Sequence, residues 1–140
     1  MIVKGYIGNL SAEDSQLFAS KGIYVFNSLC VGCKEHVEWA YQKMKYAFEN
    51  KKNIARKRHL EMMLILSGKR QIKEAIDLCG SEGADSIVAI SEKDFEIPLR
   101  RDDSVIEFRA DKMEYLGIPQ FLQKGCDLFF ENSAMLELER

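Results

Sequence analysis

Cys30-Val31-Gly32-Cys33 is the spacing in this chain that most directly suggests chemistry. Two cysteines separated by two residues, between an expected strand and an expected helix, stand where a thiol–disulfide exchange pair sits, and a helix N-terminus favours the thiolate. The proline of the familiar redox version is absent. A structural zinc needs four ligands, and Cys79 and Cys126 form no second pair at ligand spacing. Small buried thiols, the commonest state of free cysteine, are the leading reading for Cys30 and Cys33. A redox pair is the runner-up, and metal binding comes last. Cys79 falls on an apolar helical stripe and reads as packing.

The two histidines, His36 and His59, each fall in an expected helix. No nucleophile elbow accompanies either, so neither reads as part of a hydrolytic triad. Gly68-Lys69 lacks the earlier glycine of a phosphate loop, and Arg70 stands where a hydroxyl must hold magnesium. Ser67, the amides after Gly68, Lys69 and Arg70 at a helix start still suit a phosphate contact. No catalytic residue, cofactor or metal is expected.

A basic centre offers a different chemistry. Lys51, Lys52, Arg56, Lys57 and Arg58 follow a helix that carries Trp39, Tyr46 and Phe48. Cations beside exposed rings bind RNA by neutralising phosphates and stacking unpaired bases, although a solvated helix face has the same composition. Residues 34–73 hold eleven basic and four acidic side chains, whereas 74–140 hold seven basic and sixteen acidic. The net charge of −2 conceals this separation. One face can meet a polyanion while the other suits a basic protein surface.

These residues need a scaffold. Alternation over Ile2–Ile7, a short helix near Ala12–Ala19 behind Ser11, and the run Ile23–Phe26 predict strand, helix, strand. Val37, Ala40, Tyr41, Met44 and Phe48 make one apolar stripe on a helix from Lys34. A second helix is expected over about Ile54 to Leu66, and a third carries Ile72, Ala75, Ile76 and Cys79 towards a stop at Gly80. Ser86–Ser91 reads as a buried strand with Ser104–Phe108 as its neighbour. Short helices follow near Asp111–Leu116, Phe121–Phe130 and Asn132–Leu138. The expected fold is α+β: one domain over 1–140, with a small mixed or antiparallel sheet of about four strands packed with several helices.

Two local expectations follow. Glu61 lies in a helix that turns apolar on all sides and needs a partner if buried; Arg70 and Gln71, across the Ser67-Gly68 bend, are the nearest candidates. Asn132 is expected to cap a last helix of about two turns carrying Met135, Leu136 and Leu138, too short to stand alone. Flanked by Asp127, Glu131, Glu137 and Glu139, it reads as a partner-binding element.

At 140 residues the chain is one domain's length, with 46% apolar and 30% charged residues, which argues against disorder. Its longest aliphatic run, Met62–Leu66, is far below a membrane span, and no secretory leader precedes it, so no membrane association and a cytoplasmic location are expected.

The stretch Glu61-Met-Met-Leu-Ile-Leu-Ser67-Gly68-Lys69-Arg70-Gln71-Ile72-Lys-Glu-Ala75-Ile76 resembles the signature of the kinase-binding subunit of the KEOPS complex, the TPRKB type in its archaeal form. Asn27, His36-Val37, Ala40, Ile54-Ala55 and Ala134-Met135-Leu136-Glu-Leu138 fit the same pattern, so the resemblance covers nearly the whole chain. The cysteine pair and the Lys-rich segment near Tyr46–Asn53 depart from it. The resemblance implies a non-catalytic, cytoplasmic accessory subunit. Such a subunit holds the kinase-like ATPase of KEOPS and helps recruit tRNA by its 3′ end, for threonylcarbamoyladenosine formation next to the anticodon. Lys51, Lys52, Arg56, Lys57, Arg58, Lys69 and Arg70 would meet RNA. Glu61, Ser67, Gly68, Gln71 and Ile72 would be structural, and Met135, Leu136 and Leu138 would meet the ATPase.

Overall fold

The computed structural model describes residues 1–118 and 125–138, the last four of these as backbone only. Four strands, β1 (Ile2–Ile7), β2 (Tyr24–Asn27), β3 (Ser86–Ser91) and β4 (Arg100–Arg101), form one sheet in the order β2-β3-β1-β4. Every pairing is antiparallel, in the register Ile2 to Ser91, Tyr24 to Ile90 and Tyr6 to Arg101. The α+β expectation holds, and the sheet is antiparallel throughout rather than mixed.

All six residues of β3 are buried because both faces of the sheet are covered. Val88 and Ile90 face the larger cluster, built with α2 (Lys34–Glu49), α3 (Arg58–Ser67) and α4 (Ile72–Cys79). Ile87 and Ala89 face a smaller one with Tyr6, Val25, Phe95 and Ile97, against which α1 (Ala12–Ser20) sets Phe18. The period-2 alternation of side chains thus serves two cores at once. Two more helices, α5 (Ala110–Leu116) and α6 (Asp127–Leu138), close the larger cluster with Met113, Leu116, Leu128 and Phe129.

Three local expectations are corrected. Ser104–Phe108 is not a strand: Asp102 Oδ1 accepts from the backbone N–H of Ser104 at 3.0 Å and from its hydroxyl at 2.6 Å, which winds Asp103–Ile106 into a 3-10 turn. This local Asx capture outcompetes the apolar pattern, and Arg100–Arg101 takes the edge position. The second helix begins at Arg58 rather than near Ile54, because Glu61 Oε1 accepts from the amides of Ile54 at 2.9 Å and Ala55 at 2.8 Å, holding that segment as a loop against the helix. These partners of Glu61 are ones the sequence reading did not name.

Finally, α6 runs from Asp127 through Asn132 without a break. Asn132 therefore does not cap a helix: its Nδ2 donates to Ser67 O at 2.9 Å, satisfying a carbonyl at the end of α3. Gly68 is left-handed there (φ 72°), and a Cβ on it would stand 2.7 Å from Asn132 O. Ser67-Gly68 is the seat of α6. Residues 121–124 of the helix expected over Phe121–Phe130 lie outside the described residues, as do the side chains of Met135, Leu136 and Leu138.

Candidate RNA and partner surfaces

The basic centre is exposed and pairs with rings on α2, but it does not form one face. Lys43 Nζ lies 5.6 Å from the Trp39 ring centre and Lys52 Nζ 5.8 Å from that of Tyr46. Trp39, Lys43 and Tyr46 share one stripe of the helix. Arg58 sits 5.0 Å from Phe48, two residues beyond Tyr46 and so roughly 200° round the helix. Tyr46 is exposed, while Trp39 and Phe48 pack against the core. Lys51 turns the chain after α2 with a positive φ of 55°. Lys69 and Arg70 follow the opposite end of α3, about 14 Å from Arg58 along a helix rising 1.5 Å per residue. The seven basic candidates therefore divide into at least two places.

Arg58 and its neighbour Lys57 stand at the rim of a small cleft of about 260 Å³ between α1 and the start of α3. His59 lines that cleft and also a larger one of about 690 Å³, walled by Met63, Ile76 and Tyr115 and by the turn around Ser81 to Asp85. Burial and the adjacent Lys57 hold the His59 imidazole below its ordinary range, so it is neutral at pH 7. Tyr115 Oη donates to Leu78 O at 2.6 Å, fixing one wall. Ile76 is 42% exposed at the edge.

Sequence reasoning placed Ile76 on the core stripe with Ala75 and Cys79. The structure buries only those two, because a helix of eight residues turns a narrower apolar arc to the core. The surplus isoleucine on so short a helix was the available signal for this cleft.

At the other end of the molecule α6 docks by a buried polar seam. Gly32 N–H donates to His36 Nδ1 at 3.1 Å, His36 Nε2 donates to Ser133 Oγ at 2.9 Å, and that hydroxyl donates to Leu66 O at 3.5 Å. This chain assigns the neutral tautomer with the proton on Nε2. Burial, then the charge of Lys112, lowers the His36 pKa to about 3. Lys112 is itself fully buried, donating to Val31 O at 2.8 Å and Val105 O at 2.9 Å, and desolvation brings its pKa down to about 8.

The cysteines are neither the small buried thiols that were the leading reading nor the redox pair that was the runner-up. Cys30 is bonded to Cys79 and Cys33 to Cys126, with Cα separations of 5.3 and 6.1 Å, inside the range such bonds need. Each sulfur of the CxxC motif anchors a different distant element. Gly32 between them is where the Phe129 ring of α6 lies, and a Cβ would run into it. Cys79 is buried as expected, but bonded. Among the described residues no cluster of three or more His, Cys, Asp or Glu side chains is placed to hold a metal, and no helix is long and apolar enough to cross a membrane.

A small α+β domain whose notable surfaces are a cation-rimmed cleft and a docked terminal helix has the character of a binding module. The sequence is 34% identical over 151 aligned positions to the regulatory protein Cgi121 of Methanocaldococcus jannaschii, an alignment that takes in all of this chain and 99% of the relative. No family model matches it. The chain belongs to the Cgi121 family, the TPRKB type of KEOPS accessory subunit.

Proposed function

We propose that this subunit works in the cytoplasm without turnover of its own, recruiting tRNA by its 3′ end and holding the kinase-like ATPase of KEOPS for threonylcarbamoyladenosine formation. The observation that carries the RNA part is the larger cleft at His59, with Lys57 and Arg58 beside it. Its volume lies within the roughly 300–1,000 Å³ of small-ligand sites. The lysine and arginine, which line the smaller cleft sharing His59, neutralise backbone phosphates there, and the neutral imidazole stacks an unpaired terminal base. Asp77, Glu82 and Asp85 in the same walls keep phosphate outside and offer acceptors to base amino groups. Lys51, Lys52 and Arg56 extend the phosphate track, and Lys69 and Arg70 act at a second point along the RNA.

Reversing Arg56, Lys57 and Arg58 together to Glu should weaken filter binding of all tRNAs about equally, and the dependence of log affinity on log salt should flatten by about one unit per lost phosphate contact. An unchanged triple variant removes this segment from the RNA site.

The ATPase part rests on α6. Its first half is committed to this protein's own core through Leu128 and Phe129, both buried. Met135, Leu136 and Leu138 on its last turns are our choice for the contact with the ATPase subunit, and the acidic residues around them suit a basic partner while repelling RNA. Leu136→Glu should abolish ATPase-subunit binding in calorimetry while tRNA affinity is retained. Deletion of 132–140 should do the same at a cost in stability, since it removes Asn132 and Ser133 from their seat. Circular dichroism must first show both variants folded. Retained ATPase binding would move the interface to another surface, with α4 the next candidate. Two disulfides are compatible with a cytoplasmic protein in hyperthermophilic archaea, where they are common inside cells.

A further inference from the structure

The two disulfides differ in what can reach them. Cys30 and Cys79 are fully buried in the larger core cluster. Cys33 and Cys126 are both partly exposed, and Cys33 lines an open surface cleft of about 430 Å³ beside Val3, Asp103 and Phe108. The reachable bond also has a specific mechanical position. Cys33 is the N-cap residue of α2, and Cys126 directly precedes α6, so their bond pins the start of one helix onto the start of the other.

Apart from this bond, α6 is held by side-chain contacts. Phe129 lies over Gly32 and 6.1 Å from the Phe108 ring, Phe130 meets Trp39 edge-on at 5.6 Å, and Asn132 and Ser133 bond to carbonyls of α3. A helix of twelve residues does not persist in water by itself. Once untethered, its population in the docked state rests on such contacts, with the burial of Leu128 and the His36–Ser133 bond, and no longer on a covalent tie.

We propose that Cys33–Cys126 is a reducible latch on α6: a dithiol reductant opens it while Cys30–Cys79 stays closed, and opening releases the helix from its seat. One thiolate of the reductant attacks Cys126 Sγ and forms a mixed disulfide. Cys33 leaves as a thiolate, a charge that the amides at the start of α2 and the neighbouring Lys34 favour. The second thiol of the reductant then displaces Cys126. The products are two protein thiols and one oxidised dithiol, a transfer of two electrons. The uncovered surface is the bed formed by Gly32, Phe108 and Trp39 together with the polar seam at His36. This inference does not depend on the assignment of an RNA or ATPase partner.

The test uses the full-length protein, purified oxidised and exposed to graded dithiothreitol. Thiols are trapped with iodoacetamide and mapped by mass spectrometry, and amide exchange is followed in parallel. The expected result is that Cys33 and Cys126 are alkylated at least about tenfold faster than Cys30 and Cys79, with exchange over 127–138 accelerating by a similar factor while β3 stays protected. Cys33→Ser/Cys126→Ser should show the open exchange pattern without reductant, and restoring oxidising conditions should close only the wild type. Simultaneous labelling of all four cysteines overturns the proposal. So does a fully opened Cys33–Cys126 bond with α6 as protected as before, or alkylation of Cys33 in the untreated oxidised protein.

Discussion

Lowering the pH from 6.5 to 4 should destabilise this protein by about 3 kcal/mol, at about 1.4 kcal/mol per unit, as read from urea unfolding at constant ionic strength. The source is His36, fully buried with a pKa near 3 against 6.5 in the unfolded chain. Its folded value is depressed, so the unfolded state binds more protons throughout this window. The stabilisation is complete above 6.5 and is lost as pH falls towards 3.

Protonation at Nδ1 would remove the acceptor for the Gly32 amide and place a second cation near Lys112, so the seam between α2 and α6 should open first. Exposed carboxylates with lowered pKa, such as Asp94 and Asp102, lose their contribution only below about 4, which leaves the window clear. His59 is half-buried and adds a smaller slope of the same sign, and His59→Gln removes it. His36→Asn, which keeps an acceptor near Gly32, should be less stable at pH 7 yet lose most of the acid slope. A wild-type slope near zero over pH 4–6.5 would mean that the imidazole is hydrated in the folded state.

Glu61→Ala should cost about 3 kcal/mol in urea unfolding, among the largest effects of any polar substitution here. Glu61 is fully buried, and one of its oxygens accepts both the Ile54 and Ala55 amides. Alanine would leave those donors unpaired beside a cavity, and Ala55, 1% exposed, has no water to turn to. Glu61→Gln retains a carbonyl oxygen at the same place and should recover about half of the loss. The loop it secures leads into Arg56, Lys57 and Arg58, so the alanine variant should also weaken tRNA binding more than its stability alone predicts. Equal stability of Glu61→Ala and wild type would show that the segment before α3 folds without this anchor.

Much of the scaffold was legible locally. Alternation in Ile2–Ile7 and the continuous run Ser86–Ser91 identified β1 and β3, and the 3.6-residue stripe from Val37 to Phe48 identified α2, because period and burial are coupled along an element. The Glu61–Ile76 signature was legible as a family pattern, and identity over the whole chain agrees with it. Where the reading failed, a side chain had made a bond that periodicity does not encode: Asp102 winding Asp103–Ile106, Glu61 holding Ile54 and Ala55 out of the helix, and Asn132 reaching Ser67 instead of capping its own helix.

What the sequence determined by itself was therefore most of the elements, β1, β2, β3 and the helices of the centre, and the segregation of charge, all properties of neighbouring residues along the chain. Tertiary structure alone decided which cysteines are joined, that Gly32 makes room for Phe129, that the basic residues divide between the two ends of α3, and that Ile76 edges a cleft instead of filling the core. The partners in those contacts are as much as 97 residues apart, as Gly32 and Phe129 are. Spacing within one element carries no information about which distant surface that element will meet, because the meeting is set by how all the apolar faces close together at once.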